Sequence, residues 1–218
     1  QKSSQKSKLR IMVGAKSNWD DLGAVLSSMG INWRAMGDLK DCDILFLNCS
    51  GQRPDDSALK DFVSNGGCVF SSCTQGGLLE SVFAESIQFD SIGYKTGIDN
   101  ALIIDEDLYQ IVGASIPITF HTAGWGNPSR GNFDIIMSSQ GNLFNKGTKL
   151  CVRATYGKGV IFFTMFHNSD NLNEKEQALL KLLVLKGIGN SQNANLAQIG
   201  SSLKIDMNEI KAKFRSDI

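Results

Sequence analysis

Cys73 and His167 are the two side chains in this sequence whose types and positions could carry covalent chemistry. Cys73 follows the apolar run Cys68 to Ser72 and precedes Thr74, Gln75, Gly76 and Gly77, after which Leu78 to Phe83 has helical character. That pattern reads as a buried strand turning sharply into a helix. A thiol at such a junction faces the positive end of the helix dipole, which favours the nucleophilic thiolate. His167 closes a second apolar run, Val160 to Phe166. An imidazole beside the sulfur could take its proton, and the backbone N–H groups of Thr74 to Gly76 could steady the oxyanion of an attacked carbonyl. The opposing expectation, which we adopt, is that Cys73 is a structural turn residue and His167 caps a strand end.

Other candidates are weaker. His121 stands near Trp125 and reads as an aromatic rim residue, and Trp125 itself fits an exposed protein contact as well as it fits core burial. Asp99, Asp105, Glu106 and Asp107 lack the alternation and central glycine of a calcium loop and read as a solvated helix start. Gly157-Lys158-Gly159 lacks the longer frame of a phosphate loop and reads as a β-turn. The five cysteines, at 42, 49, 68, 73 and 151, contain no CxxC pair. No zinc pattern is visible, and neither a metal nor a cofactor is expected. Cys49 and Cys68 lie in or beside apolar runs, where a thiol behaves as a small buried hydrophobe.

The elements that must position these residues can be read from the apolar runs. Lys8 to Gly14 reads as a strand, followed by a helix capped by Ser17 and running to about Met29, where Gly30 stops it. Ile31 to Met36 is a short edge strand, and Asp43 to Asn48 (DILFLN) is a strand covered on both faces. Leu59, Phe62 and Val63 give the apolar face of a helix that Asn65, Gly66 and Gly67 end. Ser50-Gly51 and Thr74-Gln75-Gly76-Gly77 both follow central strands, so both should face the crevice at the carboxyl edge of a parallel sheet, with Asn168 beside them. From about 85 to 157 short strands alternate with turns, a β-rich insertion or antiparallel extension containing one helix, Asp105 to Val112. Tyr156 to Gly159 turns a hairpin into Val160 to Phe166, and Glu174 to Lys186 is an amphipathic helix that should pack on the sheet. After Gly187 a polar linker leads to two short helices, Asn195 to Ile199 and Met207 to Phe214. This division puts one α/β domain at 1–187 and a helical tail at 188–218.

Composition narrows the functional classes. With 218 residues and 42% hydrophobic side chains the chain can bury one substantial core. Lys plus Arg number 22, equal to Asp plus Glu, so there is no excess of positive charge for holding phosphates, and no nucleic-acid partner is expected. No apolar run approaches the ~20 residues of a membrane span, so no membrane role is expected, and the odd number of cysteines fits a reducing, cytoplasmic setting.

Three features in order, the DILFLN strand, a helix ending in SNGG before CVFSSC, and YGKGVIFFTMFHN followed by EKEQALLKLLVL, resemble the class I glutamine amidotransferase-like superfamily. The likeness covers residues 8 to 187 and is nearest to its degenerate branches, the trehalose-utilisation-type and β-galactosidase middle domains and uncharacterised bacterial relatives. It implies a flavodoxin-like α/β fold, a doubly wound and mostly parallel sheet. In active members a His-x-Glu pair serves the elbow cysteine. Here Cys73 stands at the elbow and His167 at the later strand end, but Ser169 replaces the Glu, leaving Asp170 or Glu174 as third members at other spacings. Gln75 also stands where the elbow wants a small residue. The resemblance therefore implies a non-catalytic domain that binds a ligand or a protein partner, a pseudoenzyme. The alternatives are a thiol hydrolase or amidotransferase-like enzyme using Cys73 and His167, and a structural subunit of a larger assembly.

Overall fold

The computed structural model describes residues 9–121, 124–168 and 172–215. The first half alternates strand and helix: β1 (Ile11–Val13), α1 (Leu22–Ser28), β2 (Arg34–Ala35), β3 (Ile44–Leu47), α2 (Asp56–Ser64), β4 (Cys68–Ser72) and α3 (Gly76–Phe83). A mostly stranded stretch follows: β5 (Ile87–Ser91), β6 (Gly97–Ile103), α4 (Glu106–Val112), β7 (Ser115–Phe120), β8 (Gly126–Gly131), β9 (Phe133–Ser139) and β10 (Lys149–Tyr156). The chain closes with β11 (Gly159–Thr164), α5 (Glu174–Gln192), α6 (Leu196–Leu203) and α7 (Met207–Ala212).

Nine of these strands form one mixed sheet in the order β2-β1-β3-β4-β11-β10-β9-β6-β7, and β5 and β8 make a separate ribbon. The pairs from β2 through β11 are parallel, and those from β11 through β7 are antiparallel. The expected β-rich insertion thus extends the same sheet. β11 is the seam, parallel to β4 and antiparallel to β10. The β10–β11 hairpin turns through Gly157 and Lys158, with Gly157 at φ +57, a conformation that a two-residue hairpin turn requires and glycine adopts without strain.

Strands β3, β4 and β11 are buried at every position, as their unbroken apolar runs require for strands covered on both faces. Helices α1 and α5 pack together over one face, and α2 and α3 over the other, which is the doubly wound arrangement. Phe46, Phe70 and Phe162 stack across the three central strands with ring centroids 5.1 and 5.0 Å apart. Gly187 lets α5 approach this stack, since a Cβ there would stand 2.7 Å from the Phe70 ring.

Two boundaries differ from the sequence reading for local reasons. Helix α1 begins only at Leu22 because Asp21, not Ser17, caps it through a bond from the Ala24 N–H. The Ser17 hydroxyl instead donates to the Cys49 carbonyl. Helix α5 runs past Gly187 and Gly189 to Gln192, and Ile188, Leu196, Ile199 and Ile210 join the same buried core, so the tail packs against the body.

Candidate functional site

Parallel strands deliver the following loops to a common edge. Because β3, β4 and β11 are adjacent, with Leu47 level with Ser71 and Ser72 level with Thr164, the residues just beyond their ends emerge side by side. Those residues are Cys49, Cys73 and His167. The two sulfurs and an imidazole nitrogen all lie within 4.8 Å of one another. Cys73 is held at φ +48, in the left-handed region where a side chain other than glycine is strained, and this turns its thiol back over the sheet edge.

One carboxylate ties the three loops together. Asp20, in the loop after β1, accepts hydrogen bonds from the Cys49 N–H at 3.0 Å, from the Asn168 N–H at 2.9 Å and from the Ser72 hydroxyl. Its three donors are thus Cys49 itself and the immediate neighbours of Cys73 and His167. Asp20 is 2% exposed, and burial pushes its carboxyl up to about 6, against the pull of His167 and these donors.

The polar groups are coupled. A hydrogen bond from Cys73 favours ionised Cys49, and His167 and Thr74 add to it against the cost of burial. Cys73 is driven up correspondingly, first as donor to Cys49 and then by its own burial. Burial lowers His167, but its bond to Cys49 and the charges of Asp20 and Cys49 outweigh that and leave it raised. The hydrogen bond of the imidazole to Cys49 ties it to that thiol, and the cluster lowers Cys49 while raising Cys73.

The surrounding residues close the site. Thr74 accepts from the Ser50 N–H at 2.7 Å, and its hydroxyl stands 3.5 Å from the Cys49 sulfur. Gln75 is fully buried and donates from Nε2 to the Asn48 carbonyl, bridging the loops after β3 and β4. Trp125 reaches in from just before β8 of the separate ribbon, its ring centroid 6.0 Å from that of His167 and its Nε1 donating to the Lys95 carbonyl. It is buried, which settles its place as core. A cavity of about 410 Å³ lined by Lys16, Trp19, Asp20 and Asn168 lies beside the cluster. A larger cavity, of about 820 Å³, lies at the opposite strand ends against Arg10, Asp43 and Gly66 and has no contact with these thiols.

The sequence-predicted residues divide. Cys73 and His167 come together, and Ser50, Thr74, Gln75 and Asn168 surround them. Gly51 permits a close approach, since a Cβ there would meet the Ala15 carbonyl at 2.5 Å. Gly76 underlies the Phe89 ring and donates its N–H to the Cys73 carbonyl, while Gly77 is exposed. Of the two expected acids, Asp170 lies outside the described residues and Glu174 is not at the site: it is exposed in the first turn of α5, 2.9 Å from Lys213. Asp20 takes the acidic position instead.

Cys49 is buried, as its apolar neighbours predict, yet it belongs to the polar cluster. The signal that could have found it is its place just past a central strand, the same place that singled out Cys73. His121 is exposed and away from the site. The acidic cluster separates: Asp105 caps α4 and pairs with Lys186 at 2.7 Å, whereas Asp99 is buried and accepts from the Asn142 and Leu143 N–H groups.

No family model matches this chain, and no curated protein sequence does. Solved structures match its fold. A β-galactosidase from Rahnella sp. R3 superposes at a TM-score of 0.61 and 13% identity over 85% of this chain, which spans only 31% of that enzyme. A ThuA-like protein from Parabacteroides merdae gives 0.57 and 11%, covering 85% of this chain and 90% of that one. A glutamine amidotransferase from Thermotoga maritima gives 0.52 and 10%, covering 95% of each. The chain has the flavodoxin-like α/β fold of class I glutamine amidotransferase-like proteins. No helix among the described residues is long and apolar enough to cross a membrane.

Proposed function

We propose that this chain is a binding domain on an amidotransferase-like scaffold, recognising a ligand or protein partner through the carboxyl edge of its sheet without turning over an amide. The observation that carries this reading is closure. Cys73 is 6% and His167 5% exposed, so little of the elbow sulfur is open to a carbonyl carbon. The hydrogen bond between His167 and Cys49 supports it, because an imidazole engaged with one thiol is less free to serve the other as a base. So does the Gly76 N–H, which is engaged with the Cys73 carbonyl rather than directed at an oxyanion.

Two observations favour a second reading, a thiol enzyme. The left-handed backbone at Cys73 is the kind of strain that functional sites store, and Asp20 supplies a negative charge near His167. In that case the Cys73 sulfur, its proton passed to His167, would attack an amide carbonyl, form a thioester and release the amine, and water would then free the acid. Incubation of the purified protein with glutamine and with p-nitrophenyl acetate separates the readings. A binding domain releases no ammonia or nitrophenol beyond the level of Cys73→Ser. Turnover that this substitution abolishes would overturn the binding reading.

A further inference from the structure

We propose that Cys49, Cys73 and His167 form a binding site for a single thiophilic divalent cation, with zinc the ion that this donor set fits. The inference deepens the binding reading above by naming what the crevice holds, and it rests on that reading.

The first argument is donor chemistry. Two thiols and an imidazole are the ligands that zinc takes in combination, whereas calcium and magnesium take oxygen. The second is geometry. A zinc–sulfur bond of about 2.3 Å in a tetrahedron puts neighbouring donors ~3.7 Å apart. The three donors here already lie within 4.8 Å of one another, so side-chain rotation of about an ångström closes them on an ion. They sit on three separate loops, and Asp20 holds the backbone at Cys49 and Asn168 and the side chain of Ser72, next to Cys73. Hydrogen bonds behind the ligands orient them in metal sites.

The third argument is an unmet need. His167 is 95% buried by its 5% exposure, and its Nε2 finds no hydrogen-bond partner among the described residues. Gln75 Oε1, in the bridge between the same two cysteine loops, is equally buried and unpartnered. Buried polar atoms are almost always satisfied, so two orphans at one place point to something that binds there. A turn of the imidazole that brings Nε2, rather than the nitrogen bonded to Cys49, toward the sulfurs would let coordination satisfy the first. Among the described residues no fourth His, Cys, Asp or Glu joins the set, which leaves one vertex of the tetrahedron for a ligand.

The test is metal uptake by the full chain, stripped with a chelator and kept reduced. Titration with zinc against a chromophoric chelator should show one equivalent bound. Cobalt in its place should give the thiolate charge-transfer and strong visible bands of a tetrahedral site. Cys49→Ser, Cys73→Ser and His167→Gln should each weaken uptake by more than the ~10- to 100-fold that loss of an outer-shell partner costs, and His121→Ala, at the exposed histidine, should leave it unchanged. Absence of stoichiometric uptake by the unmutated protein would overturn the proposal, whatever the variants do. So would uptake that survives His167→Gln and disappears with His121→Ala. Failure here leaves the binding reading standing with another ligand, whereas Cys73-dependent turnover by the metal-free protein would sink that reading without touching uptake.

Discussion

The antiparallel half of the sheet has the longer strands, yet nearly all the candidate chemistry belongs to the parallel half. In the parallel half, β1, β3, β4 and β11 run the same way, so their carboxyl ends gather on one edge and the loops that follow carry Asp20, Cys49, Cys73 and His167 to a single place. In the antiparallel half successive strands reverse, so consecutive loops go to opposite edges and cannot pool their side chains. The wall against His167 comes instead from the separate β5–β8 ribbon, where Trp125 stands just before β8. Burial follows the same division. Strands β3, β4 and β11 are buried throughout, while β6 and β7 alternate and leave Ile98 and Leu102 exposed on the outer face. Shared strand direction is therefore what makes a site possible, and the reversed strands shape its surroundings.

The largest effect should come from the centre of the parallel half. Phe70→Ala removes the middle ring of the three-phenylalanine stack and should cost about 3–5 kcal/mol, read from denaturant midpoints. An equal loss from Leu102→Ala, on the outer face of β6, would erase the contrast. Next is Asp20→Asn. An amide cannot accept from all three donors, and its own NH₂ must face one of them, so a loss of about 2–3 kcal/mol is expected. Faster alkylation of Cys49 and Cys73 should accompany it as their loops loosen, while Cys68 and Cys151 stay inert. Unchanged stability with unchanged thiol reactivity would show that the carboxylate does not hold the edge together. Ile98→Thr, 61% exposed on the antiparallel half, should stay within ~0.5 kcal/mol of the parent.

The smallest effect separates the two edges of the parallel half itself. Asp43, at the amino end of β3, is raised by burial, but its bonds and charge contact with Arg10 outweigh that and hold its carboxyl below the usual aspartate range. A lowered carboxyl contributes stability that is present above the ordinary aspartate value and is lost as pH falls through the depressed one. Asp43→Asn should therefore flatten the acid limb of a stability–pH curve slightly and leave zinc uptake at the other edge untouched. A change in uptake would mean that the two edges communicate.

Much of this was legible in the residues. The DILFLN, CVFSSC and VIFFTMF runs announce doubly covered strands, and the order of strand and helix implies crossover connections. The position of Cys73 past one strand and of His167 past another predicts that they share an edge. Cys49 was legible on the same ground but is masked by its apolar neighbours, which describe its burial and say nothing of its contacts. Asp20 was not legible. It sits beside a helix-capping aspartate, 148 positions before its bonding partner Asn168, and neither its spacing nor its type distinguishes it from Asp21.

Local pattern thus determined the elements, their buried faces and the edge on which polar residues would collect, because hydrophobic periodicity and turn chemistry act over a few residues at a time. Tertiary structure alone decided which acid joins the cluster, which thiol the imidazole serves and how far α5 extends. Those outcomes depend on loops distant in sequence meeting at ångström range, and on the free energy of burying charge once they meet, which no short stretch of the chain encodes.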